Sequence, residues 1–128
     1  MLTTSLCCLL LLAPADAPAR LEARLVILTP EGEWLLRTAE DRTQSPTNRV
    51  RAVQALGRRQ EPGSVPRLLR LLPGDGDVVT RAAIIALGQI GDRRALPVLR
   101  KLRDDPDVRF HGKINASLEH AVQALQRR

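Results

Sequence analysis

AVQAL stands at Ala52–Leu56 and again at Ala121–Leu125, and a near relative, AIIAL, stands at Ala83–Leu87. Each phrase pairs small alanines with a branched apolar residue and a leucine, and the spacing within it suits one side of a helix. A chain of 128 residues that writes such a phrase three times is repeating a structural unit.

The repeat extends well beyond the phrase. Ala55-Leu56-Gly57 and Ala86-Leu87-Gly88 are 31 residues apart, and the same interval separates Val53 from Ile84, Val65 from Leu96, Pro66 from Pro97 and Leu68 from Leu99. Periods of about 20–50 residues mark arrays whose units cannot bury their own apolar faces and must stack on neighbours.

Each unit reads as two helices. The first, about Asn48–Arg59, carries Val50, Val53 and Leu56, with Ala52 and Ala55 allowing close approach. A turn at Gln60–Gly63 leads to a second helix over Ser64–Leu72, where Val65, Leu68, Leu69 and Leu72 fall at i, i+3, i+4 and i+7. Pro73-Gly74 stops it, and Asp75-Gly76-Asp77 makes the next turn.

In the next unit Val79, Ala83, Ala86, Leu87 and Ile90 form the inner face. Val78, Ile84 and Ile85 make that helix apolar nearly all round, so it is expected to be covered on most sides. Gly91 suits a C-terminal position needing positive φ, and Asp92 suits an N-cap. The helix that follows covers about Arg93–Arg103, with Pro97 near its first turn, where a missing N–H costs little.

The third unit departs from the period. Asp107-Val108 follows Asp77-Val78 by 30 residues, but the second AVQAL comes later than that register allows. Phe110, Ile114, Leu118, Ala121, Val122 and Leu125 form one stripe, which predicts an elongated closing helix with no second helix behind it. Upstream, Thr29-Pro30-Glu31 reads as an N-cap followed by a first-turn proline. Trp34, Leu35, Leu36 and Ala39 then give one apolar side to a helix ending near Asp41, which would cover the first repeat. Leu25–Leu28 reads as a short strand or as the tail of a preceding helix.

The stretch TRAAIIALGQIGDRRALPVLRKLRDDPDVR, Thr80–Arg109, resembles a HEAT repeat, specifically the short bacterial kind named after phycobilisome-lyase-like proteins. Arg81-Ala82-Ala83, Ala86-Leu87-Gly88, Ile90-Gly91-Asp92, Ala95-Leu96-Pro97 and Asp105-Pro106-Asp107-Val108-Arg109 carry the likeness. The unit Arg49–Asp77 matches more loosely, with Gln60 in the place of Gly91 and Glu61 in the place of Asp92. The resemblance covers roughly residues 47–127 and implies an all-α fold: a short α-solenoid of stacked antiparallel helix pairs.

Composition agrees with helices packed closely together. Trp34 and Phe110 are the only aromatic residues besides histidine, and there is no Tyr; sheets, by contrast, favour aromatic and β-branched residues. The formal charge is +6, carried by 18 Arg and 2 Lys. Such a surface suits nucleic acid, an anionic membrane or an acidic protein. Acidic residues are interspersed and no run of five like charges occurs, so arginine as an ordinary solvating cation explains the balance equally well.

Residues 1–17, MLTTSLCCLLLLAPADA, read as a secretory signal. The apolar run Leu6–Ala13 is too short for a bilayer, which needs about 20 residues, and suits a signal core. Cleavage after Ala15 or Ala17 meets the small-residue rule, although the leader lacks Lys and Arg. Cys7 and Cys8 lie within the run, so a cleaved chain has no thiol chemistry. The organisation expected is a signal peptide over 1–17, an extension and capping helix over 18–46, and a HEAT-repeat domain over 47–128. The chain is then exported, secreted or periplasmic, with no membrane span after cleavage.

The motifs that announce catalysis are missing: there is no nucleophile elbow, P-loop or dinucleotide fingerprint. His111 and His120 are nine residues apart, on opposite sides of a helix, and cannot share a metal. The His-Glu dipeptides of iron-dependent HEAT hydroxylases do not occur; Glu119-His120 is the reverse order. Asp104-Asp105-Pro106-Asp107 lacks the spacing of a calcium loop and reads as a turn with an N-cap. Asn115-Ala116-Ser117 matches a glycosylation sequon but sits inside an expected helix. No catalytic, metal or cofactor residues are therefore assigned.

What remains is surface. In HEAT arrays the second helices line the concave, binding side. Arg67 aligns with Val98 and Arg70 with Lys101, and Arg94 opens the next second helix. Arg67, Arg70, Arg94 and Lys101 are the candidate partner-binding residues, for an acidic peptide or a phosphate-bearing ligand. The function expected is a non-enzymatic scaffold that binds a protein partner. The alternatives are a lyase-like or chaperone accessory acting on a client protein and, more weakly, a basic nucleic-acid-binding array. A repair-glycosylase reading fails for want of aromatic residues in the groove.

Overall fold

The computed structural model describes residues 28–72, 76–109 and 112–128. The expected signal segment, 1–17, and the readings placed on Leu25–Ile27, Pro73–Asp75, Phe110 and His111 lie outside them. Among the described residues every regular element is helical: α1 Pro30–Glu40, α2 Pro46–Arg59, α3 Val65–Leu71, α4 Asp77–Ile90, α5 Leu96–Asp104, α6 Pro106–Arg109 and α7 Gly112–Gln126. Short 3₁₀ turns at Pro62–Ser64 and Arg93–Ala95 lead into α3 and α5.

The helix ends follow local chemistry. Thr29 Oγ1 accepts from Gly32 N and Ser45 Oγ from Asn48 N, so two helices that begin with proline are capped by the residue before it. α4 ends at Gly91 with φ +75°, as the glycine predicted. At the equivalent end of α2, Gln60 takes the same left-handed conformation, φ +52°, although it has a side chain. Asp92 accepts from Arg94 N and caps the 3₁₀ turn.

The start of α1 sits at the end of α2, where Thr29 meets Glu61, and its end meets the start of α2, where Arg49 Nε donates to Ala39 O at 2.8 Å. The two helices are therefore antiparallel. α2, α4 and α7 lie side by side in that order, while α3 leans on α4 and α5 on α7. The core runs along this row through Leu36, Val53, Leu56, Leu68, Ile84, Leu87, Leu99, Leu118 and Leu125, all fully buried. Each such side chain contributes about 1.5–3 kcal/mol by leaving water.

α1 shares a register with the second helices. Gly32 and Leu36 are buried in α1 as Ser64 and Leu68 are at α3, and as Ala95 and Leu99 are at α5. Each is a small residue followed four positions later by a leucine. The expected single apolar side of α1 is divided: Leu36 and Ala39 are buried, whereas Trp34 is 65% exposed.

α4 is covered on most sides, as expected: eight of its 14 residues are buried, Ile84 among them, while Val78, 64% exposed, and Ile85, 41% exposed, mark its open outer edge. One other expectation is corrected: the closing helix is not elongated among the described residues. α7 has 15 residues against 14 in α2 and α4, and the separate turn α6 precedes it.

The displaced second AVQAL has a simple geometric origin. A Cβ on Gly57 would come within 2.9 Å of Ala86 Cα, and one on Gly88 within 3.1 Å of Ala121 Cα. Ala121 therefore holds in α7 the place of Ala86 in α4, but 35 residues later instead of 31. The extra four residues are about one helical turn, which restores the same face. Val79, Ala83, Ala86, Leu87 and Ile90 map onto Ile114, Leu118, Ala121, Val122 and Leu125, and all ten are buried.

Candidate interaction surface

The four basic positions expected to bind a partner have different environments. Arg67 donates from Nε to Glu40 Oε1 at 2.8 Å and from NH1 to Glu33 Oε2 at 2.7 Å, and its NH2 also reaches Glu40 Oε2. It ties α3 to α1. Its hydrogen bonds to Glu40 and then Glu33 raise its already high pKa. In return Glu40 is held below the usual carboxylate range by Arg67, and Glu33 by Arg67 and Arg37.

Arg94 is folded back on Asp92, with Nε–Oδ2 at 2.8 Å, and NH2 also donates to Pro62 O at 3.3 Å. The Arg94 bonds hold Asp92 below its ordinary pKa. Arg70 and Lys101 are exposed. Arg67 and Arg70 border one open bay of about 600 Å³ with Glu40, Arg42 and Leu71. Neither Arg94 nor Lys101 lines it.

Sequence reasoning missed the most buried carboxylate of the described residues. Glu61 is only 7% exposed and reaches 32 residues back along the chain. It accepts from Thr29 N at 3.2 Å, Thr29 Oγ1 at 2.5 Å and Arg59 Nε at 3.0 Å. Burial pushes its pKa up, but the bonds from Thr29 and Arg59 outweigh burial and leave it lowered. Gly32 completes the fit, since a Cβ there would strike the Glu61 carboxylate. The available signal was the substitution itself: Asp92, one methylene shorter, caps its own turn, whereas Glu61 spans to the preceding helix.

A second concavity of about 490 Å³ lies between α1 and α2, lined by Trp34, Leu35, Thr38, Asn48, Arg51 and Ala52 among others. His120 is exposed on α7. Asp105 Oδ1 accepts from Asp107 N at 3.0 Å, so this part of the acidic loop serves the start of α6. Among the described residues no helix is long and apolar enough to cross a membrane.

Stacked helix pairs, a period of 31, glycine–alanine contacts between successive first helices and an alanine-rich core define a helical-repeat protein. The model of the HEAT-repeat family matches residues 33–126, and the chain belongs to that family. The match begins inside α1, the helix that shares the register of α3 and α5. A search of the curated proteins found no match.

Proposed function

We propose that the chain is a short α-solenoid of the phycobilisome-lyase-like kind that works as an exported, non-enzymatic scaffold for a protein partner. HEAT repeats are suited to protein interaction, and the residues here fit that use. Most of their apolar side chains are spent on neighbouring helices, and the exposed sides are chiefly polar, with Trp34, Val78, Ile85 and Val98 as the exposed large hydrophobic residues among those described. The observation that carries the reading is the pair Arg70 and Lys101. They stand 31 residues apart on successive second helices, and both are exposed. Arg67 and Arg94 serve the fold, so the contact to an acidic partner falls chiefly to Arg70 and Lys101.

The test is co-purification from the native host with a tagged chain and with the double variant Arg70→Glu/Lys101→Glu. Loss of a specific client from the double variant, with helical ellipticity unchanged, is the expected result. An unaltered client profile removes Arg70 and Lys101 from the interface. Export is tested separately by N-terminal sequencing of the mature protein, which should begin after Ala15 or Ala17; an intact Met1 overturns it.

A further inference from the structure

We infer that copies of this chain stack head to tail, the α5–α7 end of one seating on the α1–α2 groove of the next, with Glu119 of one copy opposite Arg51 of the other. The register of the array leads there. Gly57 of α2 meets Ala86 of α4, and Gly88 of α4 meets Ala121 of α7. Gln60 Nε2 donates to Gln89 O at the same end of α2 and α4, so these first helices run parallel. Carried past the end of the chain, the rule brings Gln123, 35 residues after Gly88, to Ala55 of the next copy, 31 residues before Ala86.

One turn earlier on the same two helices stand Glu119 and Arg51. Inside the array these places are apolar and buried, held by Val53 on α2 and Ala82 on α4. At the two ends both have become charged, and the charges are opposite. Arg51 is exposed, lines the groove and has no ion pair among the described residues. Glu119 is exposed too, and its carboxylate comes no nearer than 3.9 Å to Arg103 Nε. Gln123 carries a side chain where Gly57 and Gly88 carry none, so the junction is wider than the contacts inside the array. Long side chains such as Glu and Arg reach across that gap.

The second helices agree. Inside the chain Arg67 of α3 reaches back to Glu33 of α1. Glu33 follows Gly32 as Leu96 follows Ala95, and Leu35 precedes Leu36 as Arg67 precedes Leu68. At the junction the ion pair is therefore replaced by Leu96 on Leu35, both half-buried within one chain. Trp34, 65% exposed beside Leu35, gains cover from the same neighbour. Groove-on-groove pairing is disfavoured, because the residues lining the groove include Arg51 and no carboxylate. A head-to-tail contact that does not close into a ring continues as an open filament.

The test is sedimentation velocity of the full chain under reducing conditions over a range of concentrations, with Arg51→Glu, with Glu119→Arg and with the two variants mixed. The parent should associate in steps that pass beyond the dimer. Each single variant sets like charges opposite one another and should associate more weakly by about tenfold or more. The mixture restores opposite charges at every junction and should restore association in alternating copies. Circular dichroism should be unchanged, since both positions are exposed. A chain that stays monomeric up to about 1 mM overturns the inference. So does association that both charge reversals leave intact, a loss confined to one of them, or a mixture that fails to recover.

Discussion

Gly57 packs directly on Ala86, and no side chain fits between them. A Cβ on residue 57 would lie 2.9 Å from Ala86 Cα and 3.1 Å from Ala86 Cβ, and would also strike the Gln89 side chain. The neighbour cannot retreat, because Ala86 belongs to the backbone of α4, the best-packed helix of the array. Gly57→Ala is expected to cost about 1–3 kcal/mol, the range for overpacking a close contact. Such a loss lowers the Tm by roughly 4–8 °C per kcal/mol in a domain of this size. Gly112→Ala is the control: nothing lies within 4 Å of its Cβ, so its thermal melt should not fall.

This contact also shows where the sequence could be read and where it could not. The three AVQAL-type phrases place buried residues at the same positions, because a first helix must turn one face inward: Ala52, Val53 and Leu56 are buried, as are Ala121, Val122 and Leu125. Positive φ at Gly91 and the cap at Asp92 were legible because glycine and aspartate have local reasons to be there. The one-turn slip of α7 was not, since a helix presents the same face every four residues or so and the period alone cannot tell the two registers apart. The candidate basic stripe was legible only in its residue types. That Arg67 is held by Glu33 and Glu40 depends on α1 lying across α3, a long-range fact. Sequence pattern likewise cannot say that Glu61 would span to Thr29.

The Glu61 clasp makes stability depend on acid. Its pKa is lowered in the folded protein, so the folded state binds that proton less readily than the unfolded chain does. The stabilisation is then complete above the unfolded carboxylate value, about 4.3, and is lost as pH falls through the lowered folded value. Glu61→Gln is expected to lower stability at pH 7 by about 1–3 kcal/mol, because one donor of the Thr29 and Arg59 set is left without a carboxylate to meet. It should also flatten the acid limb of a plot of Tm against pH between about 5 and 3. Parallel acid limbs in the two proteins would show that Glu61 does not carry this dependence.

Ile84 and Ile85 are neighbours on α4 with opposite expected outcomes. Ile84 is fully buried and Ile85 is 41% exposed. Gln54, one repeat earlier at 31 residues before Ile85, holds the same place on α2 and is exposed. Ile85→Gln should therefore change stability by no more than about 0.5 kcal/mol, as surface substitutions do. Ile84→Ala should cost about 2–5 kcal/mol, through lost burial and the cavity left behind. Urea titration of the two variants separates them; a large loss for Ile85→Gln would mean that the outer edge of α4 is covered in solution.

Gln60 and Gly91 test the helix ends against each other. Both sit in the left-handed region, but only Gln60 bears a side chain there, and its Nε2 donates to Gln89 O. Gln60→Gly would relieve backbone strain of about 1–2 kcal/mol and lose one exposed hydrogen bond of comparable size, about 0.5–1.5 kcal/mol. The two nearly cancel, so the variant should melt close to the parent. Gln60→Ala keeps the strain and loses the bond, so it should be less stable than Gln60→Gly. Gly91→Ala gains no bond, adopts φ +75° with a side chain, and drives that side chain to within 2.5 Å of the Arg128 guanidinium. The atoms met are the far end of the long Arg128 side chain, which can give way, so the cost reduces to the backbone, about 1–2 kcal/mol. The expected order of Tm is parent and Gln60→Gly together, then Gln60→Ala, then Gly91→Ala. If Gly91→Ala melted with the parent, the left-handed end of α4 would not be what limits α4.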